Sequence, residues 1–255
     1  MIKKHKIYFI KNFNDWKYYK FNRYKNCYNY KKQKMIKKQK PNKRLKEKVK
    51  TAKKRKISST RWLQRQLNDP YVKRSKVEGR RSRAAYKLLQ IDEKFKLLKP
   101  NQLVLDLGSA PGSWSQVVSQ VPGNKVIAID KLQMDPIAGV ETLSLDLSLQ
   151  ETFDEISLLI ESKVDLVLSD MAAVTTGHKS TDHIRTQELA ELAADYALKF
   201  LKIEGSFCSK VFQGGTHQTL LETLKKNFTT VKHFKPDASR KESPENYVIA
   251  QGYKG

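Results

Sequence analysis

A chain of 255 residues with 39% hydrophobic residues is long enough for one α/β-sized core plus an extension. Its net charge of +24 is lopsided, because residues 1–56 hold 23 Lys/Arg against Asp15 and Glu47, whereas residues 88–255 hold 18 basic and 22 acidic residues. A near-neutral core behind a basic front points to a polyanion partner, most simply nucleic acid. Two cysteines without a CxxC or Cys/His cluster argue against a zinc site or disulfide framework, so no metal is expected. No apolar run approaches the roughly 20 residues of a membrane span. The starting run "IYFI" is too short for a signal peptide, and a cytoplasmic protein is the expectation.

Residues 1–34 are rich in Lys, Asn and Tyr with no helical or strand period, and residues 35–56 form a lysine-rich run without an apolar face. Residues 1–56 therefore read as a basic, disordered extension and 57–255 as one domain. The compositional bias of 1–34 raises the further expectation that Met35 or a later codon is the true start. In "SSTRWLQRQLNDPYV", Ser59 or Thr60 can cap a helix carrying Trp62, Leu63 and Leu67, and Pro70 punctuates it. A second helix places Ala84, Leu88 and Ile91 on one side. Residues 61–87 hold nine basic residues against Asp69 and Glu78, mixed with aromatics; Arg80, Arg81 and Arg83 are the expected phosphate contacts.

From Pro100 onward, strand and helix patterns alternate. "QLVLDLG", "KVIAID", "ETLSLDL", "VDLVLSD", "GSFCSKVF" and "ENYVIAQGY" read as strands. "SWSQVVSQV", "TFDEISLLIES", "TDHIRTQELAELAADYALKFL" and "THQTLLETLKKNF" read as helices. Continuous apolar strands separated by helices predict an α/β fold, a doubly wound Rossmann-like sheet with helices on both faces. Such sheets bind ligands outside the carboxyl ends of their strands. Asp106, Asp130, Asp146, Asp170 and Lys210 all fall at or near strand ends, so four carboxylates and a lysine converge on one rim. A carboxylate after the second strand suits a ribose diol. Gly108 and Gly112 permit a tight turn and close backbone approach. Their spacing is not the dinucleotide fingerprint. A ligand with adenosine and no pyrophosphate fits better, and S-adenosylmethionine is the common one.

The segments "DLGSAPGSWSQ", "DKLQMDPIAGV", "LSDMA", "SKVFQGG" and "KPDASRKESPENYVIA" resemble the FtsJ-type bacterial ribosomal RNA large-subunit ribose 2′-O-methyltransferases. "SSTRWLQRQLNDPYV…RSRAAYKL" resembles the front end of the same family. The resemblance implies a class I S-adenosylmethionine-dependent methyltransferase whose partner is 23S ribosomal RNA in the large subunit, with a uridine as target and a monomer as the acting form. It carries over a catalytic tetrad: Lys87, Asp170, Lys210 and Glu245, with Lys210 as the base that relieves a ribose 2′-hydroxyl of its proton. It also assigns cofactor contacts: Gly112 and Trp114 toward the methionine side, Asp130 toward the ribose, Asp146 toward the adenine, and Asp170 where cofactor and substrate meet. Two positions depart from the family pattern: Ser113 stands where relatives commonly carry Gly, and Val174 where they usually carry Asn. The tetrad does not separate ribosomal RNA from tRNA or another RNA as substrate. A non-catalytic RNA-binding ribosome-assembly factor is the rival of another class, disfavoured by the intact tetrad. A nicotinamide dehydrogenase is disfavoured by the glycine spacing.

Overall fold

The structure, a computed structural model, describes residues 47–51, 57–160, 162–173, 176–213 and 218–255. The expectations for residues 1–46 and 52–56, the start at Met35 and the substitution at Val174 lie outside the described residues. The order is α1 (Ile57–Asn68), α2 (Pro70–Val77), α3 (Ala85–Phe95), β1 (Leu103–Leu107), α4 (Ser113–Ser119), β2 (Lys125–Asp130), β3 (Val140–Ser144), α5 (Gln150–Leu159), β4 (Val164–Ser169), α6 (Lys179–Phe200), β5 (Leu201–Phe212), α7 (Gln218–Asn227), β6 (Phe228–Phe234) and β7 (Glu245–Tyr253). The strands form one seven-stranded sheet in the order β3-β2-β1-β4-β5-β7-β6. β1 to β5 run parallel, and β7 pairs antiparallel with both β5 and β6.

The central strands are apolar on both sides because helices cover both faces. Leu105, Leu107, Ile129, Val167 and Phe207 pack in one core with Tyr196, Ala197 and Phe200 of α6 and Leu224 of α7. Leu88 and Ile91 of α3 are fully buried as well. The edge strands β3 and β6 are mostly exposed. This is why the sequence hides β6. "FTTVKHF" lacks the continuous apolar run of an interior strand, and an edge strand needs none. The doubly wound sheet expected from the sequence thus carries an antiparallel margin.

Two boundaries also differ from the reading of the sequence. α1 begins at Ile57, so Ser59 and Thr60 lie inside its first turn instead of capping it. Pro70 starts α2 as its first residue, where its missing N–H costs nothing. Asp69 is the cap of α2, accepting a hydrogen bond from the Tyr71 N–H at 2.9 Å. In front of α1, Glu47 exchanges hydrogen bonds with the Asn68 side chain at 2.9 Å in each direction. The Val49 N–H donates to Gln64 at 3.1 Å. Residues 47–49 thus pack onto α1, because Gln64 and Asn68 are one turn apart and offer side-chain amides to their backbone.

Strand order reverses between β1 and β4: β2 and β3 continue on one side of β1, β4 and β5 on the other. The crevice at the carboxyl ends of these two strands is where an open sheet takes a ligand.

Candidate active site

The loop after β1 turns at Gly108, with φ of 69°. A β-carbon there would lie 2.2 Å from Met171 Cγ and 3.2 Å from Met171 Cα. Glycine is thus needed both for the turn and for the close approach of the segment that follows β4. Gly112 has φ of 92° and sits against Ile137, Met134 and Arg81. The Asp130 carboxylate, at the end of β2, accepts the Ala110 N–H on Oδ2 and the Leu132 N–H on Oδ1, both at 2.9 Å. It therefore ties the glycine loop to the segment after β2. Each carboxylate oxygen has a second acceptor site, so two further hydroxyls can be received.

Asp146, after β3, accepts the Ser148 N–H at 3.0 Å and the Ser148 hydroxyl at 2.6 Å on Oδ1. Lys131 meets its Oδ2 at 2.7 Å. The hydrogen bonds from Lys131 and Ser148 hold its carboxyl down at about 2. Lys131 is largely exposed, so its ion pair is weak and exchangeable. Trp114 is 2% exposed. Its indole N–H donates to the Ala84 carbonyl at 3.0 Å, and its ring lies 5.6 Å from that of Tyr247. The side chain is spent on packing α4 between the start of α3 and β7.

The tetrad residues come from four elements and meet in one chain of alternating charge. Lys87 lies in the first turn of α3, Asp170 directly follows β4, Lys210 is in β5 and Glu245 opens β7. Lys87 Nζ donates to Glu245 Oε2 at 2.7 Å and stands 3.6 Å from Asp170 Oδ2. Lys210 Nζ meets Asp170 Oδ1 at 2.7 Å and donates to the Asp170 carbonyl at the same distance. Among the described residues, Asp170 thus receives two of the three N–H donors of Lys210. Burial alone would raise the Asp170 carboxyl. The Lys210 and Lys87 ammoniums, with hydrogen bonds from Lys210 and Tyr247, outweigh burial and hold it below the usual range. Both lysines are only 7% exposed.

Three supporting residues escaped the sequence reading. The Tyr247 hydroxyl donates to Asp170 Oδ1 at 2.7 Å. Burial, followed by the Asp170 charge, pushes this phenol well above its ordinary value, so it stays a donor. Two residues on from Glu245 in one strand, Tyr247 shares its face; that period was the available signal. The Ser239 hydroxyl donates to Glu245 Oε1 at 2.6 Å from a loop with no periodic pattern. Ser115 donates to the buried Asp106 Oδ2 at 2.5 Å. Asp106 therefore faces α4 beneath the crevice, whereas the sequence grouped it with the rim. The departure Ser113 is also used: its hydroxyl lies 2.7 Å from that of Ser82, binding α4 to the segment that leads into α3.

The three arginines expected to contact phosphate each have partners within the protein. Arg80 is 8% exposed, and its Nη1 donates to Gln120 at 2.7 Å. Arg81 donates to the Pro111 and Pro136 carbonyls, each at 2.8 Å. Arg83 Nε lies 2.9 Å from Asp69 Oδ2, an ion pair off the direction of an aligned hydrogen bond, and its Nη2 donates to the Ala238 carbonyl at 2.5 Å. These guanidiniums are held by protein acceptors. Arg83 is ion-paired with Asp69, whereas the acceptors of Arg80 and Arg81 named here, Gln120 and the two proline carbonyls, are uncharged. Among the described residues no group of His, Cys, Asp and Glu could hold a metal ion, and no helix is long and apolar enough to cross a membrane.

Fold and rim together define a class: a doubly wound sheet with an antiparallel last strand, a glycine loop after β1 and a carboxylate at the end of β2, the Rossmann-like fold of S-adenosylmethionine-dependent methyltransferases. Comparison with known proteins goes further. The model of the FtsJ-like methyltransferase family matches residues 80–253. The chain is 58% identical over 208 residues to ribosomal RNA large subunit methyltransferase E of Novosphingobium aromaticivorans, covering 81% of this chain and 94% of that one. It is 54% identical over 209 residues to the protein of that name from Rickettsia akari, covering 79% and 92%. A crystal structure described as a putative ribosomal RNA methyltransferase from Plasmodium falciparum is similar with a TM-score of 0.61 at 32% identity, covering 69% of this chain and 99% of that one. The chain belongs to the FtsJ-like methyltransferase family.

The donor set fits the methyl donor of such enzymes. Asp130 offers two acceptor sites to a ribose diol beside a glycine loop. Asp146 offers a carboxylate whose cationic partner can be exchanged. We expect Asp130→Ala to weaken S-adenosylmethionine binding by roughly 5- to 150-fold, the loss of hydrogen bonds worth about 1–3 kcal/mol. Titration calorimetry at fixed pH reads it, and an unchanged dissociation constant would remove Asp130 from the pocket.

Proposed function

We propose that this chain catalyses S-adenosylmethionine-dependent 2′-O-methylation of a uridine ribose in 23S ribosomal RNA of the large subunit, acting as a monomer in the cytoplasm. The observation that carries this reading is the Lys87–Glu245 and Lys210–Asp170 pairing at the switch point of a family-matched sheet. The names of its relatives supply the ribosomal substrate.

S-adenosylmethionine supplies an electrophilic methyl group on a sulfonium sulfur. A ribose 2′-hydroxyl would attack such a carbon well only if its proton leaves as the new C–O bond forms, while the C–S bond breaks and its electron pair leaves on sulfur as a neutral thioether. Lys210 is the residue we assign to take it. It enters as the neutral amine, accepts the hydroxyl proton at Nζ, and ends as an ammonium whose charge Asp170 stabilises. Two Asp170 oxygens lie 2.7 Å from Lys210 Nζ, where they would receive the charge of that ammonium. Lys87 and Glu245 fix Asp170 from the other side, and Tyr247 holds its Oδ1. Such a network gives the hydroxyl one orientation, and orientation supplies much of the rate in a displacement. Gly112, Asp130 and Asp146 hold the donor, and Trp114 keeps α3 and β7 at a fixed spacing.

The test is to map 2′-O-methylation in RNA from a strain lacking the gene, using resistance of the methylated site to alkaline cleavage. One large-subunit ribose should lose its methyl group, and adding the purified protein and S-adenosylmethionine to subunits from that strain should restore it. An unchanged large-subunit pattern with a loss in tRNA would replace this substrate with the rival one.

A further inference from the structure

We propose that α1 is a docking element for single-stranded RNA, with Trp62 as a base-stacking platform and Arg61 and Arg65 as phosphate contacts leading into the tetrad. The proposal rests on RNA as the substrate. Trp62 is 50% exposed, unusual for so large an aromatic side chain. Arg61 and Arg65 flank it on exposed positions of the same helix. Neighbours three and four positions apart share a helix face, so Trp62 and Arg65, and Arg61 and Arg65, lie side by side. The strip from Glu47 to Val49 occupies Gln64 and Asn68 instead.

Arg65 lines two clefts. One runs along α1 with Thr60, Arg61 and Gln64. The other is bounded by Arg65, Arg83, Arg240, Glu242, Ser243 and Glu245. A chain lying on α1 can pass Arg65 and reach Glu245, which is bonded to Lys87 of the tetrad. In the second cleft, Arg83 and Arg240 share the Asp69 carboxylate, at 2.9 and 3.7 Å. Arg65 has no ion pair or hydrogen bond among the described residues, so its guanidinium remains uncommitted. An exposed aromatic ring beside Arg61 and Arg65, neither of which has a charged partner among the described residues, on a path ending at Glu245 of the tetrad, suits unpaired nucleotides: the bases stack and the phosphates pair. An acidic protein segment would use the arginines but leave the exposed indole and the path to the tetrad without purpose.

The experiment compares wild type with Trp62→Ala, Trp62→Phe and Arg65→Ala, all full-length. Methyl transfer is measured on large subunits lacking the modification, and binding is measured with a single-stranded RNA oligonucleotide over a range of salt. Trp62→Ala and Arg65→Ala should each raise KM about tenfold and change kcat less than twofold. Trp62→Phe should restore most of the loss, because stacking needs a ring. The slope of log affinity against log salt should drop by about 0.7 for Arg65→Ala, one phosphate on a single strand, and stay unchanged for Trp62→Ala. If KM and salt slope stay at wild-type values in an active protein, α1 does not dock RNA. A fall in kcat at constant KM would make these residues part of the chemistry and overturn the proposal as well. If the wild type methylates no RNA, the proposed function fails, while the salt slopes still decide whether α1 binds RNA.

Discussion

Lys210→Ala is expected to lower methyl transfer at saturating substrate by about 10³-fold, within the usual contribution of a positioned general base. The dissociation constant for S-adenosylmethionine should change less than twofold, since the donor contacts assigned to the glycine loop, Asp130 and Asp146 lie on other strands. Alanine also removes the closest cation from the buried Asp170 carboxylate, leaving Lys87 at 3.6 Å as its remaining ion-pair partner among the described residues. A loss of activity in that variant alone could therefore report a disturbed site. Lys210→Arg separates the two effects. The guanidinium keeps the positive charge beside Asp170 but cannot give up its proton to become a base. We expect the arginine variant to melt close to the wild type and to be as inactive as the alanine variant. Single-turnover rates read the chemistry, and thermal unfolding reads the fold. An arginine variant with near-normal turnover would remove Lys210 from the role of proton acceptor.

The second large effect concerns stability and pH. Asp106 lies 1% exposed beneath the crevice. Burial pushes its carboxyl up to about 7, the nearby Asp170 and Asp130 charges add to this, and the Ser115 hydrogen bonds oppose it. The ordinary value is 3.8. Between these two values the folded chain holds a proton that the unfolded chain has released. Stability from this residue is thus fully present below about pH 4 and is lost as pH rises through about 7. A shift of that size corresponds to roughly 4 kcal/mol. Asp106→Asn has nearly the same shape, can accept from Ser115, and does not ionise. The variant should be more stable than the wild type at pH 8 by a few kcal/mol, with the difference shrinking toward pH 4. Asp170 and Asp146 are depressed, so their contributions are present above about pH 4 and are lost below it, outside this window. Denaturant titration of both proteins at pH 5 and pH 8 reads the difference. A gap independent of pH would show that Asp106 is ionised throughout.

Much of the site was legible because its residues carry local signals. The glycine loop announces itself by Gly108 and Gly112 between an apolar strand and a helix. Asp130, Asp146 and Asp170 are placed by the ends of apolar runs. The tetrad was legible only through motif resemblance, since Lys87 and Glu245 are 158 positions apart and no spacing rule joins them. The arginines show the limit most clearly. Arg80, Arg81 and Arg83 form a dense basic cluster in the domain's front, which in a sequence reads as a phosphate site. In the fold, Gln120, two proline carbonyls and Asp69 claim them. Arg65, on an exposed helix face, has no ion pair or hydrogen bond among the described residues.

The sequence by itself determined the alternation of strands and helices, the doubly wound sheet and the rim of carboxylates, because periodicity and strand termination are local properties. It did not determine the antiparallel margin. β6 is an edge strand whose polar residues face solvent, and β7 reads alike whichever way it runs. Nor could it decide which charges are spent within the protein. A charge's partner is set by packing between elements distant in the chain, and only the tertiary structure brings Asp69 to Arg83, Asp106 under α4 and Lys210 onto Asp170.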